Sequence, residues 1–372
     1  MKVGLELQPC CWSRSGIGTY TYEIAKRLEN TDSVEFCGNV FQPFWKQDQD
    51  SLKGIRMPIR HNRLLSYGVY RRMWQYCPWD YQDIFGPEVD VSVFFNFIVP
   101  PKIRGKVVTT VHDLTFLRYP ETMKQSNYNH FNAGLARSVA RSDTIITVSE
   151  FTKRELQELM DVPEEKIKVV YSAPSMHGNA IADYAQVATQ YGITKEYLLF
   201  VGTVEPRKNL YRLLKAYDRL KTEKKIDQQL VLAGGNGWEN AEIYTLVSNL
   251  NHKEDIIFTG FVDGATKNAL YRNAKAFVFP SIYEGFGIPP LEAMAHDCPV
   301  ICAEVASLPE VVGDAAYYVD PFDEDSIAQG ILMVLEQEDL REILIARGRE
   351  QTQKFNWART GEAFLNMINQ MR

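Results

Sequence analysis

The sequence predicts an α/β protein made of two doubly wound parallel-sheet domains facing a central cleft. Three observations predict it. Short apolar runs alternate with stretches of helical period along nearly all of the chain, the pattern of strands covered by helices on both faces. The alternation fades once, after residue 172, through the small and polar stretch SAPSMHGNAIADYAQVATQYGI, and then restarts. A chain of 372 residues also exceeds what one ordinary core organises.

In the first series, strands are expected at 3–7, 89–94, 107–111, 144–148 and 168–171, with helices at 19–29 and 131–141. In the second, strands are expected at 197–201, 229–233, 256–258, 276–279, 300–302 and 316–319. The division is therefore 1–172 and 173–356. The last segment, 357–372, reads as a helix that packs back on the first domain, with Trp357 and Phe364 as its anchors. Ligands of such sheets bind beyond the carboxyl ends of the strands, so the cleft between the domains is the expected site.

Hydrophobic and charged contents of 45% and 24% are ordinary for a folded protein. A net charge of -6 argues against a dedicated nucleic-acid binder. The longest apolar runs, at 89–99 and 274–279, fall far short of a membrane span, and MKVGLELQP shows no signal-peptide pattern. Six cysteines without a CxxC suggest neither zinc nor a disulfide framework. A soluble cytoplasmic protein is expected.

The C-terminal half holds the strongest chemistry. After the strand ending near Gly202 comes VEPRKNL, which sets Arg207 and Lys208 on a turn and Asn209 at the N-cap of the next helix. Cations beside a helix N-terminus suit a diphosphate. An isolated Arg-Lys pair is ordinarily a solvated surface pair; the loops that follow change that reading. GGNGW at 234–238 and GFV at 260–262 end two further strands, with Phe261 and Val262 placed to line a base pocket. SIYEGFGIPPLEAM at 281–294 then puts Glu284 in a glycine loop and Glu292 in the first turn of the following helix, with Ile288 counted among the donor-binding residues. The amides of Phe286 and Gly287 are free to face an oxyanion, and a carboxylate such as Glu292 suits the vicinal diol of a ribose.

Through EPRKNL, GFV, the segment from Glu284 to Glu292 and PVICAEVASLPEVVGDAAYYVDP (299–321), the sequence resembles the retaining glycosyltransferases of family 4. The resemblance covers nearly the whole chain and implies the GT-B fold, with two Rossmann-like domains. It implies that Arg207 and Lys208 neutralise a leaving nucleoside diphosphate and that Glu292 holds the ribose. Glu284, with the Phe286 and Gly287 amides, would hold the transferred sugar. SRSGIGTYTYEIAKRL resembles the family's glycine loop, so Gly16 and Gly18 are expected in a loop reaching the donor phosphate or acceptor. VVTTVHDLTFLRYPE puts His112 past a strand end as a contact to the transferred sugar, with Asp113 as an acceptor-side or turn residue. Ser149 caps a helix at a place the family uses near the acceptor.

The implied reaction moves a hexose to a glycan or lipid-linked glycan acceptor with retention, without a metal and without a cofactor beyond the nucleotide-sugar substrate. VHDLTFLRYPE looks most like bacterial O-antigen and polysaccharide mannosyl- or rhamnosyltransferases, which makes GDP-mannose the first choice of donor. Neither Asp-x-Asp, at Asp48/Asp50 or Asp323/Asp325, looks like a metal site. A nucleotide-sugar epimerase and a catalytically silent sensor subunit are the alternatives. One feature lies outside the family pattern: residues 51–79 lack any acid but include Lys53, Arg56, Arg60, Arg63, Arg71 and Arg72. Tyr67, Tyr70 and Trp74 fall at helical spacing beside them, with Tyr76 and Trp79 close behind. Basic side chains with interfacial aromatics suit an anionic inner-leaflet surface, so residues 53–79 are expected to touch the membrane; a basic rim for a diphosphate acceptor, or an ordinary aromatic core face, are the other readings.

Overall fold

The computed structural model describes residues 1–11, 16–30, 32–43, 51–74, 76, 80–86, 88–174, 180–238 and 240–372. Two compact units emerge: Met1–Leu117 with Gln125–Ala173 and Asn356–Arg372, and Arg118–Lys124 with Pro174–Phe355.

The first unit is built on β1 (Lys2–Glu6), β2 (Glu35–Phe41), β3 (Ile59–Asn62), β4 (Val91–Phe94), β5 (Lys106–Val111), β6 (Thr144–Thr147) and β7 (Ile167–Val169). Their order is β3-β2-β1-β4-β5-β6-β7, and every pairing is parallel. The second unit repeats the plan with β8 (Tyr197–Val201), β9 (Gln229–Ala233), β10 (Ile256–Gly260), β11 (Ala276–Phe279), β12 (Val300–Ala303) and β13 (Ala316–Val319), in the order β10-β9-β8-β11-β12-β13. Each sheet reverses its order once, between β1 and β4 and between β8 and β11. A crevice opens at such a reversal, because the two connections leave to opposite faces.

Strands β2 and β3 are additions to the sequence expectation. The sequence of β2, EFCGNVF, is interrupted by Gly38 and Asn39, yet the strand is buried from Phe36 onward. Gly38 is small because Leu7 lies over it; a Cβ there would stand 2.4 Å from Leu7 Cδ1. β3 is a half-buried edge strand of four residues, IRHN, with no apolar run to betray it.

The last helix, Trp357–Gln370, belongs to the first unit. Trp357 meets Tyr20 edge-on at 6.2 Å, Phe364 stacks on Phe95 at 5.8 Å, and the Thr360 hydroxyl donates to Tyr171 O. Segment Arg118–Lys124 departs from a single cut at residue 172 by grouping with the second unit, where Tyr119 packs 5.8 Å from the Tyr283 ring.

The aromatic stripe of the helix Tyr67–Met73 faces inward. Tyr70 is buried among Phe41, Tyr81, Phe85 and Phe94, stacking on Phe41 at 4.9 Å, and Tyr67 and Trp74 close over the same cluster. These three rings form a core face, with half-buried Trp74 at its edge, so the stripe as a whole does not face a membrane. Trp79 and Cys77 lie outside the described residues, as do Asp48 and Asp50 and the run 13–15 before Gly16.

Candidate active site

The switch point of the second sheet is made by two loops. One leaves β8 at Gly202 and tightens into the turn Pro206–Lys208; the other leaves β11 at Pro280 and ends on the helix Ile288–Ala295. They are tied to each other, with the Ile282 N–H donating to Arg207 O at 3.0 Å and the Ser281 hydroxyl 3.2 Å from the same carbonyl. The loop after β9 is laced in as well: Val204 N–H donates to Gly235 O and Gly237 N–H to Val204 O. A Cβ on Gly234 would stand 1.9 Å from Gly202 O, so backbone packs directly on backbone here.

Arg207, Lys208 and Glu284 meet on this frame. Lys208 Nζ donates to Glu284 Oε1 at 2.6 Å, Ser281 Oγ donates to the same oxygen at 2.5 Å, and Arg207 NH1 lies 2.8 Å from Oε2. Arg207 is held further by Tyr283 O at 2.6 Å and the Glu205 carboxylate at 2.8 Å. Burial alone would raise the Glu284 carboxyl, but Arg207 and Lys208 together outweigh it and the pKa falls to about 2. Burial pulls the Lys208 ammonium down, with Glu284 opposing. The sequence reading separated Glu284 from the two cations; the structure puts it in contact with both, because the two loops leave neighbouring strands at the same sheet end.

Three residues that hold the frame escaped notice or were read differently. Asn209 is left-handed (φ 58°) and its side chain does not cap the helix Leu210–Thr222; it donates instead to Pro280 O and Pro321 O, fastening the β8 and β11 connections. Ser307 Oγ lies 2.8 Å from Glu284 O and 3.0 Å from Phe286 O. Its one proton serves one carbonyl at a time, and its only sequence signal was membership of the 299–321 segment. Gly287 takes φ 102° just before the helix at Ile288, and a Cβ there would meet Leu308 at 2.6 Å. Phe286 is buried edge-on against Phe355.

Glu292 lies one turn into its helix rather than in the first turn. Its carboxylate is engaged by two side chains absent from the sequence reading: Lys267 Nζ at 2.7 Å and the Tyr271 hydroxyl at 3.2 Å. A carboxylate has about four acceptor sites, so capacity for sugar hydroxyls remains. After β10, Phe261 is 83% exposed and Val262 half-buried, following the register shift that ends that strand at Gly260.

The other expected site residues lie in the first unit. His112 Nε2 is 2.8 Å from Phe95 O. A carbonyl only accepts, so Nε2 bears the proton and Nδ1 is left as an acceptor. Burial lowers the His112 pKa, against Phe95 O and Asp113, which keeps the ring neutral. Asp113 accepts the Thr115 N–H, a turn role. Ser149 is wholly buried and accepts the Thr152 N–H as a helix cap, which leaves it no surface for an acceptor. Gly16 and Gly18 open the helix Gly16–Arg27 rather than a loop: the helix begins three residues earlier than the apolar periodicity indicates.

Asp323 caps the helix Glu324–Glu336 and Asp325 pairs with Arg219. Among the described residues no group of three His, Cys, Asp or Glu side chains is placed to hold a metal ion, and no helix is long and apolar enough to cross a membrane.

Residues 14–173 match the model of Glycosyltransferase Family 4, and residues 188–351 match that of Glycosyl transferases group 1. The chain is 34% identical over 378 residues to the O-antigen chain mannosyltransferase B of Escherichia coli, covering 96% of each. It is 33% identical over 229 residues to the O-antigen chain mannosyltransferase RfbU of Salmonella typhimurium, covering 61% of this chain and 60% of that one. Sucrose-phosphate synthase from Thermosynechococcus elongatus superposes with a TM-score of 0.76 at 18% identity, over 100% of this chain and 99% of that one, a likeness of fold alone. A relative matched over nearly its whole length and family models on both halves agree: this chain belongs to glycosyltransferase family 4 and has the GT-B fold.

Proposed function

We propose that this glycosyltransferase moves mannose from GDP-mannose, with retention, to a glycan or lipid-linked glycan in O-antigen synthesis. The carrying observation is the Arg207–Lys208–Glu284 cluster at the switch point of the second sheet. The names of the relatives support the sugar and the pathway.

In this reading the donor diphosphate lies against Arg207, Lys208 and the Gly287 and Ile288 N–H groups that open the helix Ile288–Ala295, Pro289 and Pro290 having no N–H to give. Lys208 spends one of its three donors on Glu284, so the ammonium is aimed before the ligand arrives. Glu292 and Lys267 hold the ribose end and the base stacks near Phe261.

Glu284 is poorly suited to be a nucleophile or a proton carrier. Both its oxygens are engaged by cations, and a pKa near 2 keeps it ionised. A front-face displacement follows. The bond from the anomeric carbon to the diphosphate breaks and the acceptor oxygen bonds on the same face, while the acceptor's proton passes to the departing phosphate oxygen. Charge accumulating on that diphosphate is what Arg207 and Lys208 stabilise, with no metal in the scheme and no cofactor beyond the donor. Protein and acceptor meet at the inner leaflet.

Thermal-shift screening tests the donor. GDP-mannose is expected to stabilise the protein more than UDP-, ADP- or dTDP-sugars, since a tight ligand stabilises by mass action. A larger shift with another sugar nucleotide overturns the donor assignment, an inverted product by NMR overturns retention, and loss of turnover in EDTA overturns metal independence. Epimerised donor formed without acceptor would instead favour the epimerase reading.

A further inference from the structure

A second cationic site lies in the first unit. A cavity of about 200 Å³ is lined by Arg71, Trp74, Ile98, Val99, Pro101, His130, Ala133, Gly134, Arg137 and Arg141. Its charged lining is three guanidinium groups, with no carboxylate among the described residues that form it.

Two of the arginines are aimed by backbone rather than by acids. Arg141, half-buried, donates to Val99 O at 3.2 Å and to Pro100 O, and Arg137 donates through Nε and NH2 to Ala133 O at 3.1 and 2.7 Å. Both stand on the helix Gln125–Arg141; Arg71 stands on Tyr67–Met73. Their charges are felt: burial, then Arg71, lowers the His130 pKa to about 4, and burial, then Arg137, lowers that of Arg141. Assembling like charges without counter-charge is unfavourable until an anion arrives. A cavity of this size suits a small head group better than a whole sugar nucleotide, and guanidinium forks match phosphate oxygens.

The surroundings indicate where that anion comes from. On and around the helix that carries Arg71, Val69, Met73 and Tyr76 are exposed, Met73 at 55% and Tyr76 at 85%, and Leu64 precedes them at 78%. Val69 and Met73 share one helix face four residues apart. Arg72 is exposed on the same short helix. Exposed apolar side chains on the same short helix as Arg71 suit an acyl-chain boundary beneath anionic head groups.

We propose that Arg71, Arg137 and Arg141, with Trp74 and His130 in the lining, bind the phosphoryl or diphosphoryl head group of a membrane lipid. The site stands on the geometry alone; only the identification of that lipid with the carrier of the acceptor rests on the function proposed above.

The test uses the full chain and sedimentation with three vesicles: phosphatidylcholine alone, and phosphatidylcholine mixed with phosphatidylglycerol or phosphatidic acid at matched surface charge. Binding to the phosphatidic acid vesicles is expected to be about tenfold tighter than to phosphatidylglycerol vesicles. Inorganic pyrophosphate should compete, and it should raise the His130 pKa followed by NMR. Arg71→Gln with Arg137→Gln, both exposed positions, should remove the preference; Arg141→Lys should weaken it with the carbonyl contacts kept in reach. Far-UV circular dichroism and thermal melting of the full chain report that the variants are folded. Equal binding to the two anionic vesicles, or a preference that survives the double substitution, overturns the site. Pyrophosphate binding without vesicle binding overturns the lipid source. Because none of these readouts needs a sugar donor, the donor assignment and this site fail separately.

Discussion

Glu6 and Glu284 are two carboxyl groups buried to nearly the same extent, 5% and 7% exposed, each at the carboxyl end of a sheet's switch point. Their acidities are driven in opposite directions. Burial pushes Glu6 up to about 8, with the Gln8 N–H as the sole opposing influence, whereas Arg207 and Lys208 bring Glu284 down to about 2. Burial is common to both; cations are not. The same strand order therefore builds a neutral crevice in one unit and an ionic one in the other, and the difference lies in what the loop after the strand supplies.

The sharpest way to break the comparison is to remove the charge that makes Glu284 unlike Glu6. Glu284→Gln is expected to cut turnover by about 10²-fold or more, and Lys208→Ala by a similar factor, as losses of electrostatic organisation around a leaving group do. The two should differ in binding. Glu284→Gln leaves both cations to the diphosphate, so nucleoside diphosphate affinity should hold or rise, while Lys208→Ala should lose it. Glu284→Ala strands the buried Lys208 ammonium, while Arg207 keeps Glu205, and should also cost about 3–5 kcal/mol of stability. Isothermal titration with turnover assays checks this; near-normal rates in Glu284→Gln and Lys208→Ala would remove the cluster from the mechanism.

Removing the acid on the other side gives the next largest effect, and it depends on pH. The Glu6 carboxyl has a folded pKa of about 8 against an ordinary 4.5, so the folded state keeps a proton that the unfolded chain releases. The fold is therefore penalised progressively as pH rises from about 4.5 to about 8, by ~1.4 kcal/mol per pH unit. Glu284 has the opposite sign: its contribution is fully present above 4.5 and is lost as pH falls toward 2. Glu6→Gln keeps an oxygen for the Gln8 N–H and should leave melting near pH 4 unchanged while raising the transition temperature by several degrees at pH 8. A pH-independent difference would mean that Glu6 is ionised in the fold.

The contrast explains what was legible in the sequence. Most strand positions followed from apolar runs, since strands in doubly wound sheets are buried on both faces, whereas the strand order did not. Arg207, Lys208, Glu284 and Glu292 were singled out because they fall in loops and a helix start that follow strands and match the family motif. Their partners were not. Lys267, Tyr271, Ser307 and the side-chain role of Asn209 depend on which loops the fold brings together, with sequence separations of 21 to 71 residues in the bonds to Glu292, Phe286 and Pro280. The stripe of Tyr67, Tyr70 and Trp74 shows the converse failure. Helical spacing correctly put them on one face, but spacing alone does not say whether that face meets core or membrane, and Phe41 and Phe94 decided it.

The smallest effect asks whether position, as well as charge, sets Glu284 apart. Ser307 touches neither the cations nor the carboxylate; it reaches the carbonyls of Glu284 and Phe286 and so fixes the loop between them. Ser307→Ala leaves buried carbonyls short of a donor and should cost about 1–2 kcal/mol in donor recognition, a five- to thirty-fold loss in kcat/KM. A slackened loop holds Glu284 less closely against Arg207 and Lys208, so its pKa should drift from about 2 back toward 4.5 and the acid limb of the rate profile should move up with it. Ser307→Thr, which keeps the hydroxyl, should restore both. A rate loss in Ser307→Ala with an unmoved acid limb would assign Ser307 to general stability, and the low pKa of Glu284 would then be a matter of its cations alone.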